Sequence, residues 1–515
     1  MKKERWFNYR PLCLAFIMLL LGSIFAFYCF FDPSNLTQQY LPLTLSLVGL
    51  LVVVFVVIIF TIRNKNLKFL ILPLVCFVIG SGALSICLTS FNSKNLPAPS
   101  QVYARIYMIN NIGAAYQTIY ADNVYFDGIR INGKVMISLK DYSYQFDNIE
   151  IGRQIKFSPL STTAINLLEH DTPSAIYFKN NIKYKLVANI NTFEFGSVKL
   201  TLAEKIRQRI KECLNFGLSN ENAELTYSAL FGDKTNLFDS NKEAFKLAGV
   251  AHLLAVSGLH VGIIVAIFNW LCKKLKLNKW IRLAIIGCLL LFYMYICDFS
   301  ASIVRASIMS IMLMLAPIFN RKYDSLSAIG FAGIICFLID PLFAFDAGGT
   351  MSFACVTGIN LLYPSIYSVL AKTTISNKIA QSLSISASTM ISLLFIMAYY
   401  FQTLNLISIL ANIVLIPLFT VGFIVSFVVG FLGLISRYIG ILLVPVNYLF
   451  SFINIIAHVL GHLSFANFET VNVHYISIVI YMIILLLMSN KTTAKPAHKT
   501  IVILPLVAIL FAVML

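Results

Sequence analysis

Long apolar segments separated by short basic loops make up most of the chain, and a single sizeable polar block interrupts them at residues 91–247. The clearest apolar segment runs from Val250 to Leu271 without any Asp, Glu, Lys or Arg, which is long enough to cross a bilayer as one helix. Comparable segments precede the block and fill the C-terminal half, about 11–13 in all. The pattern therefore predicts a polytopic α-helical membrane protein.

The polar block has a different periodicity. Short alternating stretches separated by turn signals predict strands at residues 102–109, 123–126, 135–139, 154–157, 176–178 and 184–188. Asp127-Gly128 and Asn132-Gly133 are typical hairpin turns. About 100 residues of short strands indicate a small β-barrel, and periodicity alone equally allows a sandwich.

A basic amphipathic helix is predicted after the strands, where Leu202, Ile206, Ile210 and Leu214 recur every fourth residue with Lys and Arg between them. This helix is expected to lie on the membrane surface or under the barrel, in preference to contacting phosphate. Four regions follow from these patterns. They are three N-terminal membrane helices (1–90), an extracytoplasmic β domain (91–200), connecting helices (201–248) and a multi-helix membrane domain (249–515).

Composition agrees with a membrane protein, since the 515 residues are 59% hydrophobic and 12% charged, with a mean hydropathy of +0.82. The net charge of +17 is weak evidence for a nucleic-acid partner, because it is concentrated outside the polar block. Residues 91–247 hold 18 Lys and Arg against 15 Asp and Glu, whereas the remainder holds 21 against 7. Basic residues that flank membrane spans follow the positive-inside rule.

The same rule predicts the orientation of the chain. The basic residues 1–10 stay in the cytoplasm, residues 11–31 form an uncleaved anchor, and spans follow at 41–62 and 69–89. Residues 91–247 then lie outside the cytoplasm. Further spans are expected at 283–297, 303–319, 325–339, 351–370, 379–401, 404–434, 439–464, 473–489 and 500–515, with Pro417 able to split one of them.

Polar residues inside the Val250–Leu271 segment are the first candidate functional residues. His252, Ser257 and His260 are costly in hydrocarbon unless they face a neighbouring helix or a wet cavity. Gly258 and Gly262 lie one turn apart, which lets another backbone approach closely. Two readings remain open, a glycine-packed helix whose histidines bond neighbouring helices and the wall of a membrane pathway. A Ser257–His260 nucleophile and base pair is a minor alternative, because no third group orients the histidine.

The order of several short motifs carries a family resemblance. Ala229-Leu-Phe-Gly-Asp233 is followed by Ala248-Gly-Val-Ala-His-Leu-Leu-Ala-Val-Ser-Gly-Leu-His-Val-Gly262, then Ser302-Ile-Val-Arg-Ala306, Asp340-Pro-Leu342 and Leu410-Ala-Asn-Ile-Val-Leu-Ile-Pro417. This series resembles the ComEC family of competence proteins, strongly over residues 225–434 and by layout alone in the flanks. The resemblance implies an inner-membrane channel that admits single-stranded DNA during bacterial natural transformation.

The resemblance also implies a setting for that channel. The outer β domain is expected to be an OB-fold, a fold that binds single strands through basic and aromatic side chains. Implied partners are single-stranded DNA, a membrane-anchored DNA receptor, a cytoplasmic DNA-translocating ATPase, a separate nuclease and the lipid bilayer. The chain lacks the Walker phosphate loop and the His-x-His-x-Asp-His motif of the nuclease-like domain that many relatives carry. No enzymatic activity and no cofactor are therefore expected.

Further candidates line the implied path. Arg305 is a lone cation within apolar sequence, and either Asp298 or passing phosphate is its expected partner. Asp340 and Ser352 belong to the family motifs, but Gly349-Thr-Met351 replaces residues that relatives usually have, and this glycine-rich string suggests a broken or re-entrant helix.

Weaker candidates lie in the outer domain and near the C-terminus. The proposed DNA contacts of the outer domain are Tyr103, Arg105, Tyr107, Lys134 and Lys156, each of which could instead belong to the core or to a solvated face. His458 and His462 have the spacing of two zinc ligands without a third, so no metal site is predicted. A small-solute transporter or a diverged paralogue of unknown substrate is the alternative function.

Overall fold

The structure is a computed structural model, and it describes residues 11–30, 75–84, 99–112, 116–140, 149–165, 181–342, 346–405, 407–463, 467–469 and 475–488. The chain divides into two compact units. One contains residues 14–206 and 334–346, and the other contains residues 1–13, 207–333 and 347–515. The predicted spans at 41–62 and 500–515, most of the span at 69–89 and the predicted strand at 176–178 lie outside the described residues.

A mixed sheet forms the centre of the first unit. Its strands are β1 (Val102–Ile112), β2 (Tyr116–Phe126), β3 (Ile129–Arg130), β4 (Lys134–Lys140), β5 (Arg153–Phe157), β6 (Pro159–Ala164), β7 (Ile182–Asn189) and β8 (Glu194–Val198). They are ordered β6-β7-β4-β2-β1-β5-β8, with β3 paired to β2. All pairs are antiparallel except β4 with β7. The order ends at β6 on one side and at β8 on the other, so the sheet is open and the barrel that the sequence predicts is not shown.

Alternation along the strands produces the core of the sheet. Val102, Ala104 and Ile106 of β1 are buried, as are Val135, Ile137 and Leu139 of β4. Successive strand residues point to opposite faces, so each strand contributes every second side chain to one apolar layer. This alternation is why the strand prediction succeeds for the central strands.

The turn between β2 and β3 is formed by the predicted Asp127-Gly128 pair. Both residues have positive φ, at 46° and 83°, as a two-residue hairpin turn with the twist of the strands requires. The Asp127 carboxylate also accepts hydrogen bonds from the backbone N–H groups of Ser100 and Gln101, at 3.0 and 2.8 Å. The turn thereby fixes the start of β1.

The helices of the chain are α1 (Pro11–Phe30), α2 (Val75–Leu84), α3 (Leu202–Gly217), α4 (Asn220–Phe231), α5 (Asp239–Leu247), α6 (Gly258–Lys274), α7 (Lys279–Ile296), α8 (Ala301–Leu315), α9 (Ser325–Ile339), α10 (Ala347–Leu370), α11 (Asn377–Phe401), α12 (Ser408–Leu432), α13 (Val444–Gly461) and α14 (Tyr475–Met488). Short 3-10 helices cover Ile190–Thr192, Ala251–Leu254 and Arg437–Leu443. A two-stranded pair, β9 (Thr403–Asn405) and β10 (Asn467–Glu469), joins the segments before α12 and after α13.

Five helices among the described residues are long and apolar enough to cross a membrane, so the chain is a multi-pass membrane protein. They are α7, α10, α11, α12 and the continuous helical stretch Arg437–Gly461. Pro417 lies inside α12 and does not split it. The predicted break in the glycine-rich string is wrong, because α10 runs without interruption from Ala347 through Gly349, whereas a re-entrant course stays a prediction.

Close packing joins α10 to α11. Gly358 of α10 faces Ser392 of α11, and a Cβ at Gly358 would overlap the Ser392 side chain and lie 3.2 Å from the Ser388 carbonyl oxygen. The Ser388 and Ser392 hydroxyls donate to carbonyl oxygens four residues earlier, both at 2.6 Å. Small residues at such a crossing let two helix backbones approach, which is how membrane helices pack.

Candidate functional site

The apolar segment that contains His252 and His260 is not one helix, which corrects the sequence prediction. The 3-10 helix Ala251–Leu254 ends in extended residues, and α6 begins only at Gly258. Ser257 is the extended residue before α6, at φ −122° and ψ 169°, and its backbone N–H donates to His260 Nδ1 at 3.2 Å. The side chains of Ser257 and His260 each face the backbone N–H of the other residue. This arrangement is a capping box, a helix-start motif that sequence periodicity does not register.

Neighbouring helices stabilise the break. The Ser228 hydroxyl of α4 donates to the Leu254 carbonyl oxygen at 2.6 Å. The Tyr293 hydroxyl of α7 donates to the Leu230 carbonyl oxygen, at 2.7 Å, near the end of α4. Backbone groups outside regular helices need such partners where water is scarce. The break is therefore a packed feature of the fold.

His260 packs among aromatic side chains. It is fully buried, and its ring stacks on Phe423 of α12 with centroids 4.3 Å apart, while Phe419 lies at 6.1 Å. Its Nε2 has no hydrogen-bond partner within the described part of the chain. Because Nδ1 accepts the Ser257 backbone N–H, the two residues do not form a nucleophile and base pair.

The three polar residues of this segment thus lie in different environments. His252 is exposed, Ser257 is half-buried at the start of α6, and His260 is in the aromatic core. They do not share one helix face, since His252 belongs to the 3-10 helix and His260 to α6. Of the three, Ser257 is the residue that directly precedes the first turn of α6.

Arg305 of α8 lies against the start of α6. A Cβ placed on Gly258 would be 3.2 Å from Arg305 Nη2 and 3.6 Å from Ala306 Cβ, so a side chain at position 258 would press against the end of the guanidinium. Arg305 is 4% exposed. At Gly262 no atom of the described residues lies within 4 Å of such a Cβ, and the atoms near Gly258 belong to side chains, so the predicted close approach of a second backbone is found at neither glycine among these residues.

The positive end of α6 and the Arg305 guanidinium are therefore neighbours. The first turn of a helix presents unsatisfied backbone N–H groups and a partial positive charge. A buried guanidinium beside it adds a full positive charge with a planar set of donors. The arrangement has the properties of a site that attracts an anion such as phosphate.

α10 forms the third side of this region. The Arg305 guanidinium carbon lies 5.6 Å from the centre of the Phe353 ring, in the range of a cation–π contact. The Ser302 and Ser352 hydroxyl oxygens are 3.1 Å apart. The structure thus brings together Arg305, Gly258 and Ser352, three residues that sequence motifs place far apart in the chain.

The two acidic candidates, Asp298 and Asp340, each make contacts of their own. The Asp298 carboxylate accepts a hydrogen bond from Arg207 Nη1 of α3 at 2.7 Å, and Asp298 has a positive φ of 52° in the turn between α7 and α8. Arg207 is therefore the partner of the carboxylate that the sequence offered to Arg305. Asp340 belongs to the unit that contains the sheet, where its carboxylate accepts the Leu342 backbone N–H at 3.0 Å after α9.

In the sheet, Arg105 is engaged in ion pairs. Its guanidinium contacts the Asp122 carboxylate at 2.7 Å and the Glu204 carboxylate at 2.9 Å. The hydrogen bond with Asp122, supported by the one with Glu204, raises the pKa of Arg105 despite its partial burial. The Glu204 carboxylate also accepts the Thr201 backbone N–H at 2.7 Å. These contacts assign Arg105 a structural role in joining β1 and β2 to the start of α3.

The other outer candidates form two lysine–tyrosine pairs. Lys134 Nζ lies 3.9 Å from the centre of the Tyr107 ring, and Lys156 Nζ lies 5.6 Å from that of Tyr103. Lys156 also contacts the exposed Glu194 carboxylate at 3.1 Å, and this hydrogen bond raises the pKa of Lys156. The pairs place cations beside aromatic rings, the combination that single-strand binding surfaces use.

An asparagine network between α4 and α13 was not anticipated. Asn222 Nδ2 donates to Asn447 Oδ1 at 2.8 Å and to the Ser451 hydroxyl at 2.9 Å, while Asn454 Nδ2 donates to Asn222 Oδ1 at 3.0 Å. Asn447 and Asn454 are seven residues apart in an apolar helix, so they lie on one face. That spacing is the sequence signal that could have revealed the network.

No metal centre is found among the residues that the structure describes, where no group of three or more His, Cys, Asp or Glu could hold an ion. The His458 and His462 rings stack with centroids 6.1 Å apart. Two histidines at this spacing supply at most half of a tetrahedral zinc site.

Comparison with known proteins shows which family this chain resembles over its second half. The sequence profile of the family described as "Competence protein" matches residues 229–493, just over half of the 515-residue chain. The chain belongs to the competence protein family. The matched region begins within α4 and includes the broken segment before α6, Arg305 and Ser352. No solved structure matches the chain.

Individual relatives of this family member are distant. The chain is 27% identical over 218 residues to ComE operon protein 3 of Bacillus subtilis, covering 42% of this chain and 27% of that protein. It is 28% identical over 205 residues to competence protein ComA of Neisseria gonorrhoeae, covering 37% and 27%. An uncharacterized protein of Aquifex aeolicus is 27% identical over 171 residues, covering 33% and 38%. The matches thus span under two fifths of each relative.

Proposed function

We propose that this competence-family protein is a channel that carries single-stranded DNA across the bacterial cytoplasmic membrane during natural transformation. The observation that carries the proposal is the buried Arg305 guanidinium beside the start of α6, in the part of the chain that matches the family. Ionisable side chains inside a multi-pass membrane protein are rare and costly, and the paths of polar substrates are among the sites that they mark.

The chemistry of the site fits a phosphodiester backbone. A phosphate that leaves water needs replacement of its hydration and counterions, which a guanidinium and a helix start can provide. Phosphate contacts carry no sequence information, so such a path accepts any strand. Ser257 and Ser352 are neutral donors near Arg305 that allow a phosphate to be passed on without being trapped.

The β domain would receive the strand on its extracytoplasmic side. Tyr103 with Lys156, and Tyr107 with Lys134, would stack bases and neutralise phosphates, whereas Arg105 is committed to its carboxylates. β5 and β6 are separated by one residue yet pair with different strands, β1 and β7. That connectivity supports the proposal that the domain is a partly open, OB-like barrel.

Remaining aspects of the proposal rest on the family. The protein would lie in the cytoplasmic membrane with its N-terminus in the cytoplasm. It would receive DNA from a membrane-anchored receptor, a separate nuclease would degrade the other strand, and a cytoplasmic ATPase or the proton gradient would supply motive force.

A genetic experiment tests the proposal. An in-frame deletion in the native competent host is complemented with the wild type, Arg305→Ala, Arg305→Lys or the control Lys372→Ala, which removes an exposed cation between α10 and α11. Transformation frequency, surface-bound DNA and protein level in the membrane are measured together. The deletion should abolish transformation while DNA still binds outside. Arg305→Ala should lower the frequency about tenfold to a hundredfold, the loss of one charge-assisted contact, and Arg305→Lys should lower it less.

Two results of this experiment would contradict the proposal. Unchanged transformation in the deletion strain would favour a diverged paralogue or a small-solute transporter. Normal transformation with Arg305→Ala at wild-type protein level would exclude Arg305 from the path.

A further inference from the structure

One end of the α6, α7 and α8 group carries a dense basic surface, which we call the basic end. It comprises Lys273, Lys274, Lys276, Lys279, Arg282, Arg321 and Lys322. α6 finishes, α7 begins and the segment after α8 turns at this end, so cations from two loops meet there. Asp324 follows Arg321 and Lys322 in the chain, and its carboxylate accepts hydrogen bonds from the Ser327 backbone N–H and hydroxyl, at 3.2 and 2.6 Å.

Aromatic side chains accompany these cations. Two of the three tryptophans of the chain, Trp270 and Trp280, lie at the basic end and are 61% and 53% exposed. Lys274 Nζ lies 5.3 Å from the centre of the Trp270 ring. Trp280 meets the exposed Phe319 edge-to-face, with centroids 5.8 Å apart, and this contact joins the two loops. Exposed tryptophans at the end of a spanning helix are typical of the level of lipid headgroups.

Favourable interaction with helix dipoles explains the positions of only some of these cations. Lys273 and Lys274 are in the last turn of α6, where cations are favourable. Lys279 and Arg282 are instead in the first turn of α7, which holds no acidic residue, and there they add to the positive end of the helix. Like charges at one helix start repel unless an anion offsets them. The positive-inside rule explains which side of the membrane such residues occupy, but not their accumulation at this helix start.

We propose that the basic end binds the headgroups of anionic phospholipids. Clusters of four to eight Lys and Arg directly beside a spanning helix are typical of such binding. The lysine ammonium groups would contact the lipid phosphates, while Trp270 and Trp280 would lie at the level of the headgroups and anchor the basic end there. This interaction is independent of DNA transport, because it involves neither Arg305 nor the sheet.

Native mass spectrometry of the full chain in neutral detergent tests the proposal. Phosphatidylglycerol and cardiolipin are added in competition with phosphatidylcholine, and bound lipids are counted. The wild type should retain the anionic lipids preferentially. Lys276→Gln with Lys279→Gln should weaken their binding about 30-fold, which corresponds to about 1 kcal/mol for each lysine. The matched control Lys372→Gln with Lys378→Gln removes the same charge from the exposed loop after α10 and the exposed first turn of α11, and should leave binding unchanged.

Two outcomes would overturn the proposal. Equal losses in both double variants would show that total charge, not the basic end, selects the lipid. Unchanged lipid binding together with lost binding of a labelled single-stranded oligonucleotide would make the basic end a nucleic-acid surface. Each variant is first checked for wild-type elution and thermal unfolding without added lipid, so that a folding defect is not mistaken for either result.

Discussion

Removing the charge of Arg105 should destabilise the β domain strongly. Arg105→Gln leaves Asp122 and Glu204 without their cation at a largely buried position. Breaking a buried ion pair by removing one partner costs about 3–5 kcal/mol. Asp122 retains some contact with solvent and Glu204 keeps the Thr201 N–H, so the lower value of about 3 kcal/mol is expected.

Hydrogen exchange of β1 and β2 amides in the full chain measures this change locally. A loss of about 3 kcal/mol corresponds to exchange on the order of 100-fold faster through domain opening. Adding Asp122→Asn to Arg105→Gln should recover part of the loss, because one uncompensated carboxylate is removed.

A matched lysine variant gives the control. Lys156→Gln in the neighbouring β5 breaks a pair with the exposed Glu194, and exchange should stay at the wild-type rate, since exposed pairs contribute little. If Arg105→Gln behaves like Lys156→Gln, the ion pairs of Arg105 are not structural. Arg105 would then return to the candidates for DNA contact.

Two further variants test the packing of the membrane helices. Gly358→Ala should lower the free energy of unfolding by about 1–3 kcal/mol, because its Cβ overlaps Ser392, and Ser392→Gly should restore part of it in thermal unfolding. Full stability of the Gly358→Ala protein would contradict the close α10–α11 approach. Tyr293→Phe removes the hydrogen bond to Leu230 and should cost about 1 kcal/mol in the same assay. The exposed Tyr295→Phe serves as its control, and equal effects would refute the role of the Tyr293 hydroxyl.

Sequence reasoning succeeded where one physical signal dominated. Long apolar runs predicted multi-pass helices, five of which the structure shows among its described residues. Alternation predicted the central strands, and Asp127-Gly128 predicted a turn that needs positive φ. β6 and β8 were missed, because most of their residues are exposed or half-buried and lack the apolar alternation that marks a strand.

The site was harder to predict because its features depend on contacts between distant residues. No periodicity distinguishes one helix over Val250–Leu271 from a 3-10 helix, a break and α6, since the break depends on hydrogen bonds from Ser228 and Ser257. In the same way, Arg105 could be recognised as an ion-paired residue only once β2 and α3 had placed two carboxylates beside it. Motif order did identify Gly258 and Arg305, which the fold then brings together.

Crosslinking of DNA in transit tests the central claim most directly. A photo-activated amino acid is introduced at Ser257 or Ser352 beside Arg305, or at Tyr448, which is 73% exposed on α13. The variants that still support transformation are irradiated while labelled DNA is being taken up. The account predicts that labelled single strands crosslink at positions 257 and 352 and not at position 448. Functional variants without crosslinks at 257 and 352, or with equal crosslinking at 448, would contradict a DNA path beside Arg305.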